Sequence, residues 1–190
     1  MISAASVAAD EQLRLFLGLR VPDDWAGEVE RWGERELTAG RRVPRGNLHV
    51  TLAFLGSRPA RELGAIVDAL RAAAAGAERP ELEPVRYRET RSAGMLVLED
   101  AGGRATRLAG EIQRHLEELG VYRRESRPWL PHVTVVRYRS PPRLRPSLPA
   151  VGTLVPSDAA AYLSRLHPSG ARYEVLESCP LGEAEPGGRV

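Results

Sequence analysis

Residues 47–56 read NLHVTLAFLG, and residues 131–139 read PHVTVVRYR. In each, a His is followed two places later by a Thr, within a run of aliphatic and β-branched residues that reads as a strand. Alternation along a strand puts residues i and i+2 on one face. His49 and Thr51 therefore point one way and Val50 into the opposite layer, and the same holds for His132, Thr134 and Val133. The chain has 190 residues and the two His lie close to half its length apart. Two related lobes facing one another would produce such an echo. With six Thr and four His in the chain, two His-x-Thr coincidences arise in roughly 0.6% of shuffled sequences.

Imidazole is the side chain that titrates near neutral pH, so a pair can hold one neutral base and one protonated acid. Thr hydroxyls are compact donors suited to a phosphate oxygen. Two His across a phosphorus, with donors between them, suit in-line cleavage of a phosphodiester without a metal. The bland alternative for any one strand histidine is a satisfied structural residue; the duplication in matching context is what favours chemistry.

Charge distribution is a second line. All 27 basic residues are Arg, against 25 acidic ones, for a formal charge of +2. Leu37 to Arg61 carries five Arg and no acid, a net of +5, and Arg123 to Arg145 carries seven Arg and one Glu, a net of +6. The rest of the chain is then at −9. Each motif lies in one of the two basic stretches, a pattern that draws a polyanion to one cleft and not to the whole surface. Solvated charged loops are the competing explanation.

Outward from the motifs, residues 13–19 (LRLFLGL) read as a strand and 23–38 as an amphipathic helix carrying Trp25, Val29, Trp32 and Leu37. Pro59 fits the first turn of a helix with a Leu63, Ile66, Val67, Leu70 stripe. Strands are expected at 82–88 and 94–99, a helix at 103–119, and further strands at 132–138, 151–155, 159–166 and 171–178. A proline-rich loop occupies 140–149. Few helices separated by several strands favour an α+β arrangement over a doubly wound parallel sheet.

The remaining composition mostly excludes. A single Cys, Cys179, rules out a disulfide framework and multi-cysteine zinc, and is read as inert. No acidic or His cluster has metal-ligand spacing, and Gly102-Gly103 lacks the rest of a phosphate-binding loop. No metal or cofactor is therefore expected. No apolar run approaches a membrane span, and residues 1–10 lack the pattern of a secretory signal, so the expected location is the cytoplasm. Residues 1–12 and 182–190 are expected to be poorly ordered extensions of one domain over 13–181. His115 reads as a partly buried helix residue and His167 as an exposed turn residue. Phe54 could stack on a base, with core packing as the favoured alternative.

The paired stretches, together with RLFLGLRVPDDW (14–25), GMLVLED (94–100) and LSRLHPSGARYEVLESCPL (163–181), resemble the LigT-like 2H phosphoesterases. The closest branch is the RNA 2′,3′-cyclic phosphodiesterases, also called 2′-5′ RNA ligases. The resemblance implies a bilobal α+β fold with two pseudo-symmetric lobes whose antiparallel sheets flank a central cleft. It also implies a substrate class, RNA 3′ ends bearing a 2′,3′-cyclic phosphate, opened to a 2′-phosphomonoester by a monomer. His49 would be the proton donor to the departing 3′-oxygen and His132 the acceptor that activates water. Thr51 and Thr134 would hold phosphate oxygens. Arg137 fills the family's Arg position five residues after the second His, although strand parity turns it away from His132 unless the strand bends. Another 2H substrate (a 2′-5′ linkage, a cyclic nucleotide or ADP-ribose cyclic phosphate), the reverse ligation, and a non-catalytic RNA-end-binding module are the alternatives.

Overall fold

Leu15, Leu17 and Leu19 are at most 1% exposed while Phe16 between them is also buried, so the strand they form has both faces covered. That strand, β1 (Gln12–Arg20), sits inside one curled antiparallel sheet of a computed structural model that describes residues 10–168 and 170–182. The other elements are α1 (Asp23–Glu36), β2 (Arg41–Arg42), β3 (His49–Pro59), α2 (Leu63–Ala74), β4 (Glu83–Glu89), β5 (Ala93–Glu99), α3 (Arg104–Glu118), β6 (His132–Arg137), β7 (Asp158–His167) and β8 (Gly170–Pro180). Short 3₁₀ turns at Arg45–Asn47 and Ala60–Glu62 lead into β3 and α2.

The strand order is β4-β5-β6-β3-β1-β7-β8, with β2 paired to β6. Each motif strand is therefore central, and the two lie side by side. The β3–β6 seam is thin: Val50 opposite Val133 is its one registered pair, with β2 taking over the same edge of β6 at Arg42↔Val136 and Arg41↔Arg137. The two halves expected as facing lobes thus join edge to edge at the point of their pseudo-symmetry. Val50 and Val133 are 0% exposed and belong to the main core, which fills the helix side of the sheet. The cleft side carries a small cluster of its own, Phe16, Ala160 and Tyr162 with Tyr173 against them.

A seam with so little ladder leaves backbone groups to be satisfied by other means. The Thr51 carbonyl accepts from Trp129 Nε1 at 3.0 Å, and the Leu52 carbonyl from Gln113 Nε2 of α3 at 2.9 Å. Gln113 is buried, so its amide is the tether of β3 to the helical layer. Gln113→Leu strands a buried carbonyl and is expected to cost about 1–3 kcal/mol, read as a lower urea midpoint at unchanged slope.

Several boundaries differ from the sequence expectations. Residues 151–155 make no strand; Leu154 contributes only an isolated bridge to Leu82, because Pro149 and Pro156 bracket too short a run. Pro59 ends β3 and does not start the helix, whose first turn is 3₁₀ at Ala60–Glu62. Within the stretches expected as extensions, Gln12 pairs with Pro59, Asp10 pairs with Arg61, and Gly182 bridges Glu78. The rest of both extensions lies outside the described residues. The proline-rich loop is tied down, with Trp32 Nε1 donating to the Ser147 carbonyl at 2.8 Å and Glu89 accepting the Arg143 and Leu144 amides at 3.0 and 2.8 Å. Among the described residues no helix is long and apolar enough to cross a membrane.

Candidate active site

Continuing the antiparallel Val50–Val133 pair by one residue either way sets His49 toward Thr134 and Thr51 toward His132. All four side chains leave the sheet on the face opposite the buried valines. The two His stand in a diagonal cross-strand relation, ordinarily about 7–8 Å, which leaves room for a phosphate between their outer nitrogens.

Both imidazoles are anchored alike. His49 Nδ1 lies 2.8 Å from the Asn47 carbonyl, and His132 Nδ1 lies 2.8 Å from the Leu130 carbonyl. A carbonyl only accepts, so each Nδ1 carries the proton and each neutral ring presents an Nε2 lone pair outward. Thr51 Oγ1 is 3.1 Å from His49 Nε2 and donates to it in that state. Asn47 is a positioning residue that sequence reading missed. Its carbonyl sits at the end of the 3₁₀ turn Arg45–Asn47, and its side-chain amide donates to the Ala171 carbonyl of β8 at 2.8 Å.

Arg137 reaches this face because β6 is bulged. Its partner strand pairs Met95 with Thr134 and Gly94 with Val136, leaving Val135 unmatched. One extra residue inverts the alternation, so a position five after His132 returns to its side. β3 does the same: β1 pairs Gly18 with Thr51 and Leu17 with Ala53, leaving Leu52 unmatched. Phe54, five after His49, is the pseudo-symmetric counterpart of Arg137. It is 51% exposed, so the structure corrects the favoured expectation of core packing. The pattern His-x-Thr-x-x then holds an aromatic ring in one half and a guanidinium in the other.

Phe54, His49, Thr51 and Arg137 line a cleft of about 380 Å³ together with Arg14, Phe16, Arg41, Ser164, Leu166, His167, Gly170, Ala171 and Tyr173. Among the described residues, no carboxylate is in that lining. His167 is exposed as expected and also borders the cleft, whereas His115 is remote, beside Arg114 and Glu118 on α3. His132 and Thr134 lie across the seam and outside this lining. Among the described residues no group of three or more His, Cys, Asp or Glu converges as a metal site.

The near-symmetry of the two His stops at their surroundings. His49 packs against Phe16 (ring centroids 4.6 Å), edge-on to Tyr173 (5.2 Å) and near Tyr162 (5.9 Å). Gly18 makes room for it, since a Cβ there would meet the Val50 carbonyl oxygen at 3.0 Å and His49 Cδ2 at 3.5 Å. Burial among these rings is the largest cause that lowers His49 from 6.5 to about 4, with repulsion from His132 and Arg137 adding to it against the Asn47 carbonyl. In the free protein His49 is neutral at pH 7. An NMR titration should place its midpoint near 4, and Tyr173→Ser, which admits water to the ring, should raise it. Because the unfolded imidazole binds its proton at 6.5 and the folded one at about 4, the unfolded chain gains protons first on acidification. Stability is therefore lost as pH falls through that window, and His49→Gln should lose less over the same range.

The 2′-5′ RNA ligase superfamily matches residues 21–167, through both motif strands. Escherichia coli LigT complexed with 3′-AMP superposes at a TM-score of 0.78 with 21% identity, covering 91% of this chain and 100% of that one. A protein named as a phosphoesterase gives 0.78 at 23% identity over 91% and 100% of the two chains. TT0787 of Thermus thermophilus gives 0.73 at 29% identity, over 91% and 100%. No curated protein matches. The structures near 20% identity share the fold; the superfamily match, running through most of the chain and both His-bearing strands, makes this protein a member of the 2′-5′ RNA ligase superfamily, the LigT-like 2H phosphoesterases.

Proposed function

We propose that the protein opens 2′,3′-cyclic phosphate ends of RNA to 2′-phosphomonoesters. The observation that carries this reading is the pair of imidazoles, each fixed through Nδ1 to a backbone carbonyl, with both Nε2 atoms turned to one face beside an arginine-lined cleft. Water attacks phosphorus as His132 Nε2 takes its proton, the bond from phosphorus to the 3′-oxygen breaks, and His49 Nε2–H protonates that oxygen. The product keeps phosphorus on the 2′-oxygen and regains a 3′-hydroxyl. Thr51, Thr134 and Arg137 stabilise the charge that builds on the non-bridging oxygens.

His49 must gain its proton for this role, because burial holds it neutral in the free protein. The phosphodiester anion supplies the reason: it offsets the positive charge of Arg137 and His132 that opposes protonation. Structures of E. coli LigT with 3′-AMP and with phosphate fit a site of this class in that relative. The reverse reaction, joining the cyclic end to an RNA hydroxyl, uses the same two proton transfers in the opposite order.

The test is incubation with an RNA ending in 2′,3′-cyclic phosphate, with and without EDTA, and phosphorus NMR of the product. A 2′-phosphate formed in both arms is the expected result. No turnover would sink the reading, loss of activity with EDTA would overturn its metal-free chemistry, and a 3′-phosphate would assign a different bond cleavage.

A further inference from the structure

The cleft is longer than one phosphate requires, and its far end carries polar groups that the proton transfers do not use. On β1 the cleft face is built from Arg14, Phe16 and Gly18. Gly18 lies beside Thr51 and Phe16 beside Phe54, while Arg14 pairs with Ser57. On the other side Leu15 pairs with Leu163, which brings Ser164 next to Arg14, and Ser164 pairs with Tyr173 on β8. The floor is therefore banded. The reacting groups form the first band, the rings of Phe54 and Phe16 the second, and Arg14 with Ser164 the third.

Arg14 and Ser164 are both available. Among the described residues Arg14 makes no ion pair or hydrogen bond, and its partner is the Phe54 ring, with Cζ 5.0 Å from the centroid. Ser164 is 8% exposed, lines the cleft, and its hydroxyl has no hydrogen-bond partner among the described residues. Gly18 and Arg14 are four residues apart on one strand, about 13 Å, and the guanidinium leans back toward Phe54. That span is longer than the separation of the two phosphates on one nucleotide, and the lean of the Arg14 guanidinium over the Phe54 ring brings the second anion band within a nucleotide's reach of the first.

We propose that Arg14 and Ser164 form a second phosphate subsite, which takes the 5′-phosphate of the nucleotide whose 2′,3′ end occupies the histidine pair. The subsite rests on the phosphoesterase reading for its orientation but not for its existence. Its ligand is a phosphate ester on a 5′-oxygen, either the internucleotide phosphate of a longer RNA or the terminal phosphate of a mononucleotide. Occupancy selects ends that continue on the 5′ side over bare cyclic nucleosides. Arg14 supplies a charge-assisted donor fork and Ser164 a hydroxyl, while the Arg14–Phe54 contact sets the phosphate and the base side by side.

Calorimetric titration with adenosine 2′-monophosphate, adenosine 2′,5′-bisphosphate and a dinucleotide ending in a 2′-phosphate tests this. The 5′-phosphate should tighten binding to the wild type by roughly 10- to 100-fold, and Arg14→Gln should bring the affinities together. Arg137→Gln should weaken all three ligands and leave their ratio in place. A gain shared by the dinucleotide supports the internucleotide source; a gain limited to the bisphosphate supports the terminal one. Equal affinities in the wild type, a gain that survives Arg14→Gln, or no binding of any ligand would overturn the proposal. If the ratio behaves as expected but cyclic ends are not opened, the subsite stands and the phosphodiesterase reading falls.

Discussion

His49→Ala and His132→Ala should each lower kcat on a 2′,3′-cyclic phosphate end by roughly 10²–10⁴-fold, the usual contribution of a positioned acid or base. Both imidazoles are half-buried on the cleft face and not among the buried valines behind it, so both variants should fold, checked by a thermal transition that stays cooperative. Combining them should cost little more than either alone, because the two act in one concerted transfer. The roles separate on a substrate whose 3′-oxygen is replaced by sulfur. A thiolate departs without a proton, so His49→Ala should recover most of its loss on that substrate while His132→Ala should not. The opposite recovery would exchange the two roles and leave the chemistry in place. Wild-type rates in both variants would remove the histidines from the mechanism.

Arg137→Ala should carry the next largest effect, a fall in kcat of roughly 10²–10³-fold, the range for removing one preorganised donor from a developing negative charge. Arg137→Lys should restore only part of it, since an ammonium cannot present two parallel donors to one phosphate. A second readout separates charge from shape. Arg137 is one of the groups that lower His49, so Arg137→Ala should raise the His49 midpoint, and Arg137→Lys should hold it down. A loss of activity with no movement of that midpoint would place Arg137 away from the site.

Much of this was readable before any fold was known. The repeated His-x-Thr, its strand setting and the two basic stretches are local features, and strand alternation alone puts each His with its Thr and against its Val. The same reasoning failed at Arg137 and Phe54. Alternation turned Arg137 away from His132, and an apolar neighbourhood favoured burial of Phe54. Both failures have one cause, the unmatched residues Val135 and Leu52. Nothing in either short run marks a bulge, because a bulge is a mismatch between two strands and here the partners are distant in sequence.

Other contributors share that origin. Asn47 holds His49 only because a 3₁₀ turn brings its carbonyl back over the strand. Gln113 is an ordinary helix residue until α3 lies behind β3. Phe16, Tyr162 and Tyr173 surround His49 only through the β1–β7–β8 pairing.

Periodicity and composition within short segments suffice for the α+β class, the duplicated motif, the two His–Thr pairs that each share one strand face, and the segregation of charge. Folding was needed to establish that the halves meet at one Val–Val pair, that bulges deliver Phe54 and Arg137, and that His49 is the member of a near-symmetric pair packed among aromatic rings. It was needed as well to put Arg14 and Ser164 in one band of the cleft. A single cause underlies this division. Register, burial and charge coupling are properties of cross-strand neighbours, and neighbours across this sheet come from segments that the chain brings together only by folding.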